Sequence, residues 1–162
     1  MTKAISNSLW NFSLSHYGQP QVAAACLQLQ DNYGVNINIL LWSLWLESQG
    51  KWLSETRLAA ALTAAAPWDV NYVQPLRQLR RRIKQEFAAD LAQVARLRDQ
   101  LKHAELLAEQ QEQLSLEALS RDWPGGEKEL PQGENLSLYL AYLGLAPEIV
   151  SRALGECGAY EL

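Results

Sequence analysis

The sequence predicts an all-α fold: a single-domain helical bundle of about six to seven helices, with one long helix in its second half. Three observations support that class. Leu and Ala dominate the apolar positions and recur at spacings of three and four. Alternating runs of β-branched residues, the mark of half-buried strands, are absent from the sequence. Pro and Gly stand at the edges of the periodic runs in the first half, where helices start and stop. A length of 162 residues suits one core and is short for two, so residues 1–162 are read as one domain. A content of 48% hydrophobic and 20% charged residues excludes a disordered or collagen-like chain.

Ser8 is placed to cap a first helix running to about Tyr17, with Gly18 behind it. Pro20 opens a second helix to Tyr33, stopped by Gly34, with Val22, Cys26, Leu29 and Tyr33 on one face. The third runs from Ile37 to Ser48 behind Asn36. Its apolar side chains point almost everywhere except toward Ser43 and Glu47, which marks it as the central helix. Ser54 caps a fourth, with Leu53 and Leu58 as a hydrophobic staple, and Pro67 ends it.

From Trp68 to about Ser120 the chain has no Gly and only Pro75, near the start. Leu76, Leu79, Ile83, Phe87, Val94, Leu97 and Leu101 share one edge, so this stretch is read as a continuous helix with that edge buried. Asp90 interrupts the edge and, with Gln93 behind it, offers the alternative of a fresh helix start. Beyond Ala104 the apolar side shifts to Leu107, Leu114 and Ala118, which predicts a bend or a second partner surface. Residues 122–134, with three glycines and two prolines, read as a surface loop. Asn135 then caps a short helix through Tyr142, Gly144 breaks it, and Pro147 opens a last one to about Leu154.

Charge is segregated along the chain. Residues 69–104 carry eight Lys and Arg against four Asp and Glu, a balance of +4, whereas 105–162 carry three against eleven, a balance of −8. The cations are densest at Arg77, Arg80, Arg81, Arg82 and Lys84, five in eight residues. Near the start of a long helix each would oppose the macrodipole by roughly 0.3–1 kcal/mol, so another interaction must offset them. Three readings compete: pairing with the acidic second half, where Glu105, Glu109 and Glu112 stand at helical spacing, within the chain or across a dimer; a solvated face; or an external acidic partner. For the external partner or an anion the candidate residues are Arg77, Arg80, Arg81 and Lys84. A net charge of −4 weighs against a nucleic-acid coat.

Five of the six tryptophans fall in the first 68 residues. Trp42 and Trp45, on neighbouring faces of the third helix, are candidates to line a pocket for a small ligand, although burial as core is the commoner use of such residues. Catalytic signals are thin. The chain holds two histidines, His16 and His103, and none of the nucleophile-elbow, zinc-protease, phosphate-loop or dinucleotide patterns. Cys26 reads as a small buried hydrophobe, and neither it nor Cys157 has a neighbour at metal-ligand spacing, so no metal and no cofactor is expected. The enzyme question stays open and leans toward no. The apolar stretch Ile37–Leu46 would extend about 15 Å as a helix, half of a bilayer core, and the N-terminus lacks a secretory leader pattern. A cytoplasmic location without membrane association is expected.

The strings Leu9-Trp10-Asn11-Phe12-Ser13, Val22 to Asp31 with its Cys26-Leu27-Gln28-Leu29-Gln30-Asp31, Val35-Asn36-Ile37-Asn38, Leu40-Leu41-Trp42, and Pro75-Leu76-Arg77 with Arg80 and Arg81 together resemble an uncharacterised proteobacterial family of small single-domain proteins, catalogued as a domain of unknown function. The resemblance covers most of the chain and implies a bacterial protein with no established activity, so it transfers no functional residue. The leading expectation is therefore a protein-interaction or adaptor module that uses the charged long helix, engaging an unknown protein partner or a second copy of itself. A small-molecule or anion binder with a Trp42/Trp45 pocket is the alternative. Nucleic-acid association through the arginines is a weaker third.

Overall fold

The computed structural model describes residues 8–87, 91–126, 131 and 133–149. Among them it forms seven α-helices and no strand: α1 (Leu9–Tyr17), α2 (Pro20–Tyr33), α3 (Ile37–Ser48), α4 (Glu55–Trp68), α5 (Gln74–Glu86), α6 (Ala92–Ser120) and α7 (Glu134–Tyr142). Residues 147–149 are helical as well; the rest of the helix expected after Pro147, Cys157, the Asp90 interruption and most of the 127–132 stretch lie outside the described residues.

The early punctuation works as read. Ser8, Asn36 and Ser54 each accept a backbone N–H from the first turn of the helix they precede. Gly34 ends α2 at φ 67°, a left-handed conformation that glycine adopts without strain. α3 is the centre. Every residue from Ile37 to Leu46 except the half-buried Leu44 is buried, and α1, α4, α6 and α7 pack around it. Leu9, Leu29, Leu46, Leu58 and Leu116 complete the core with Trp42 and Tyr139. The strip of α3 that spares apolar residues is covered too. Ser43 is fully buried, donating to the Ile39 carbonyl, and Glu47 accepts the N–H groups of Gly133 and Asn135 at 2.9 and 2.7 Å. A carboxylate from α3 thus satisfies the positive N-terminal end of α7.

Three expectations are corrected. Pro67 does not end α4. It lies inside the helix on the exposed side, where the Thr63 carbonyl it would otherwise leave orphaned is open to water. Next comes one turn of π-helix, Asp69–Val73, in which Gln74 N–H reaches back five residues to the Asp69 carbonyl. Helical backbone therefore runs unbroken from Glu55 to Glu86.

Second, one long helix is present in the second half, the 29-residue α6, but the continuous helix read from Trp68 to about Ser120 is not. Helical backbone breaks at Phe87, whose φ of −124° and ψ of 146° are extended, and α6 returns antiparallel on α5. The proposed continuous edge folds onto itself: Ile83 is buried, Leu76, Val94 and Leu101 are half-buried, and Leu79, Phe87 and Leu97 face outward. The arginine cluster consequently sits in the C-terminal half of a rod beginning at Glu55, so its cations do not crowd a helix N-terminus, and Lys84 in the last turn is favourably placed.

Third, Asn135 is not the cap of α7. Gly133, at φ 89°, occupies that position, and Asn135 reaches inward to bridge three segments. It accepts Leu53 N–H at 2.8 Å and donates to the carbonyls of Ser43 and Lys51 at 3.2 and 2.9 Å. Because Asn135 is 1% exposed, removing its amide leaves those groups without water as a substitute. Asn135→Ala is expected to destabilise the fold by about 2–4 kcal/mol in urea unfolding. A change under about 0.5 kcal/mol would mean the bridge is dispensable.

Candidate functional site

α6 is turned inside out relative to an ordinary amphipathic helix. Its buried residues are Glu105, Ala108, Glu112, Gln113, Leu116 and Ser120, while Leu106, Leu107 and Leu114 are exposed. The apolar shift beyond Ala104 predicted a bend or a second partner surface; α6 continues through that point as one uninterrupted helix, and Leu107, Leu114 and Ala118 face outward.

The inward carboxylates, Gln113 and Ser120 each meet a donor or acceptor, whereas Arg98 Nε is buried without a hydrogen-bond partner. Arg77 donates from Nε to Glu105 at 2.8 Å and from Nη2 to Glu109 at 2.6 Å, and Arg80 grips Glu105 through Nε and Nη2 at 2.7 and 3.2 Å. Glu112, fully buried, accepts the side-chain amides of Asn36 and Asn38 at 2.7 and 2.9 Å. Gln113 donates to Asn38 and accepts from Ser13. Ser120 accepts Trp42 Nε1 at 3.1 Å, and Glu117 accepts Leu9 N–H at 2.9 Å.

Of the cations singled out in the sequence, Arg77 and Arg80 are therefore engaged internally, the intramolecular arm of the first charge reading. Arg81 pairs at 2.7 Å with Asp31, an exposed contact that adds little stability. Lys84 is exposed and makes no ion pair among the described residues. Trp42 and Trp45 are core: Trp42 is fully buried and meets Trp123 edge-on with ring centroids 5.7 Å apart. Cys26 is buried against the Tyr17 hydroxyl, His16 returns to its own helix at the Phe12 carbonyl 2.9 Å away, and His103 is exposed. Among the described residues no three His, Cys, Asp or Glu side chains stand together as metal ligands.

Two open clefts flank the Arg77–Glu109 pair, and both are bordered by Gln30, Asn38, Arg77 and Glu109. One, of about 290 Å³, has a mixed polar and apolar lining and sits where the π turn meets the α2–α3 connection, with Asp31, Asp69 and Arg81 on its walls. The other, of about 280 Å³, is mainly apolar and opens between α1, α2 and α6. Sequence reasoning missed both, since each depends on α5 folding back along α6. The only available signal was the reversed apolar phase after Ala104.

Residues 8–116, two thirds of the chain, match the model of a family described as "Protein of unknown function (DUF2390)". The chain belongs to that family. Every residue bordering the two clefts falls within the matched span. No curated protein and no solved structure matches the chain. No helix among the described residues is long and apolar enough to cross a membrane.

The buried carboxylates are perturbed. Burial pushes Glu112 up to about 7, with the Asn36 and Asn38 amides opposing and the Asp69 charge reinforcing the rise. Burial raises Glu109 as well, against the pull of Arg77. The Tyr139 phenol, which accepts Asn36 N–H at 3.0 Å, is pushed by burial up to about 12. A carboxyl held above its unfolded value of 4.5 binds its proton more tightly when folded, so its share of stability is lost as pH rises from there to about 7 and is constant above. Glu112→Gln mimics the protonated form. Its melting temperature relative to the native chain is expected to climb between about pH 5 and pH 7.5, by the equivalent of about 2–3 kcal/mol. A difference that does not change with pH would show that Glu112 titrates normally.

Proposed function

We propose that this chain is a cytoplasmic protein-interaction module whose recognition surface is the free end of the α5–α6 hairpin. One observation carries the reading. Toward that end Phe87, Leu91 and Leu97 are between 49% and 51% exposed, and the same hairpin carries Arg82, Lys84 and Arg96, which are exposed and make no ion pair among the described residues. Clustered apolar side chains interleaved with uncompensated cations form a surface suited to an acidic partner with an apolar stripe. α5 rests chiefly on α6 and the π turn, which leaves its outer side uncovered.

The partner surface is thus the cation set next to Arg77 and Arg80, since those two guanidinium groups are already paired with Glu105 and Glu109. An overall charge of −4 disfavours nucleic acid as the acidic partner, because the remaining surface repels phosphate.

Arg82→Glu, Lys84→Glu and Arg96→Glu combined are expected to reduce recovery of cross-linked partners from lysate at least about tenfold, with an unchanged helical circular-dichroism spectrum and melting temperature. Recovery of the same proteins at the same yield would reject the hairpin end as the working surface.

A further inference from the structure

The apolar cleft is a different place from the hairpin end and has its own chemistry. Leu14 of α1, Leu27 of α2 and Leu106 of α6 are 49%, 51% and 45% exposed, and they face one another across the roughly 280 Å³ opening, with Trp10 and Tyr17 completing the wall. Three leucines from three helices converge here without closing on each other. Lone exposed leucines are ordinary; a ring of them around a concavity is the form of a ligand site. The volume lies at the small end of such sites, roughly 300–1,000 Å³.

The floor asks nothing of a ligand. Ser13, Gln113 and Asn38 bond to one another, and Arg77, Arg80, Glu105 and Glu109 form a closed ion-pair network. A guest therefore gains from hydrocarbon on the walls and has no buried polar group to satisfy below. The charged border, by contrast, has a sign. Arg77, Arg80 and Lys102 provide three cations against the two carboxylates Glu105 and Glu109, a surplus of one, and Lys102 is exposed with no ion pair among the described residues. Burial also favours the neutral form of Glu109, which widens that surplus.

We propose that the groove between α1, α2 and α6 binds a single-chain amphiphile with one anionic head, of the medium-chain carboxylate class. The chain of about ten carbons lies against Leu14, Leu27 and Leu106, and the carboxylate meets Lys102 and the outer edge of Arg80. No residue of this site belongs to the set Arg82, Lys84 and Arg96, so the proposal stands or falls apart from the hairpin reading.

Titration calorimetry of the full chain with sodium decanoate, below its micelle concentration, tests the site. Saturable binding of one equivalent is expected, together with a rise in melting temperature. Lys102→Glu should weaken it by about tenfold, and Leu27→Glu with Leu106→Glu should abolish it. Both changes are at exposed positions, and an unaltered circular-dichroism melt in the absence of ligand verifies that they fold. Butyrate and decyltrimethylammonium should fail to bind, and the Arg82/Lys84/Arg96 variant should bind decanoate as the native chain does. Failure of decanoate to bind, equal affinity for the cationic amphiphile, non-saturating uptake, or undiminished binding to the double leucine variant would each overturn the proposal. So would protection of the groove by a bound protein partner that decanoate does not displace.

Discussion

The fold depends on one constraint: α6 carries carboxylates and amides into the interior, and each must be met there. Burying an unpaired carboxylate costs several kcal/mol, more than a typical core contact returns. The partners are spread over the molecule. Glu105 takes Arg77 and Arg80 from α5, Glu112 takes Asn36 and Asn38 from the start of α3, Gln113 takes Ser13 from α1, and Glu117 takes the first N–H of α1. Slipping α6 by one residue would break all of these together. This set of directional bonds specifies one register.

Asn36 shows how tightly the layers are joined. Its carboxamide oxygen caps α3 by accepting from Asn38 and Ile39, its amide nitrogen donates to Glu112, and its backbone N–H donates to Tyr139 of α7. Three helices thus share one side chain and its peptide group. Glu47 performs the corresponding task at α7, which has no side-chain cap of its own, and Glu117 does so at α1 beside the Ser8 cap. The cost of this arrangement is visible in Glu112, whose burial outweighs two hydrogen bonds and lifts its proton affinity into the neutral range.

The helices that begin and end on local chemistry were legible. Ser8, Asn36, Ser54, Gly18 and Gly34 act within one turn of themselves, and α1 to α3 match the sequence reading to the residue. Errors arose where tertiary contact overrides local preference. Pro67 survives within a helix because the bond it removes is on the wet side, and a π turn behind it carries the backbone onward. Phe87 breaks a stretch with no Gly and only Pro75, near its start, because the returning α6 satisfies Arg77 and Arg80, a gain no local window registers. Asn135 looked like a cap because Asn usually is one; its actual partners lie more than eighty residues away. For the site, the arginine cluster and its pairing with Glu105 and Glu109 were foreseeable from spacing and sign. The clefts were not, since neither exists until the hairpin closes.

The inverted polarity of α6 also explains why the outer surface is apolar where an ordinary bundle would be charged. Each inward Glu or Gln displaces a leucine from the core side to the solvent side of the same turn, because the helix offers a fixed number of positions per face. Leu106 and Leu107 follow the buried Glu105, and Leu114 follows Glu112 and Gln113. A polar interior and a greasy exterior are therefore one choice. The exposed leucines reduce solubility and gain nothing for the isolated chain, since the core is already filled by α3 and its neighbours. Their uncovered area is stabilising only when something lies against it, and under the two proposals above the cations beside each surface would favour an anionic occupant.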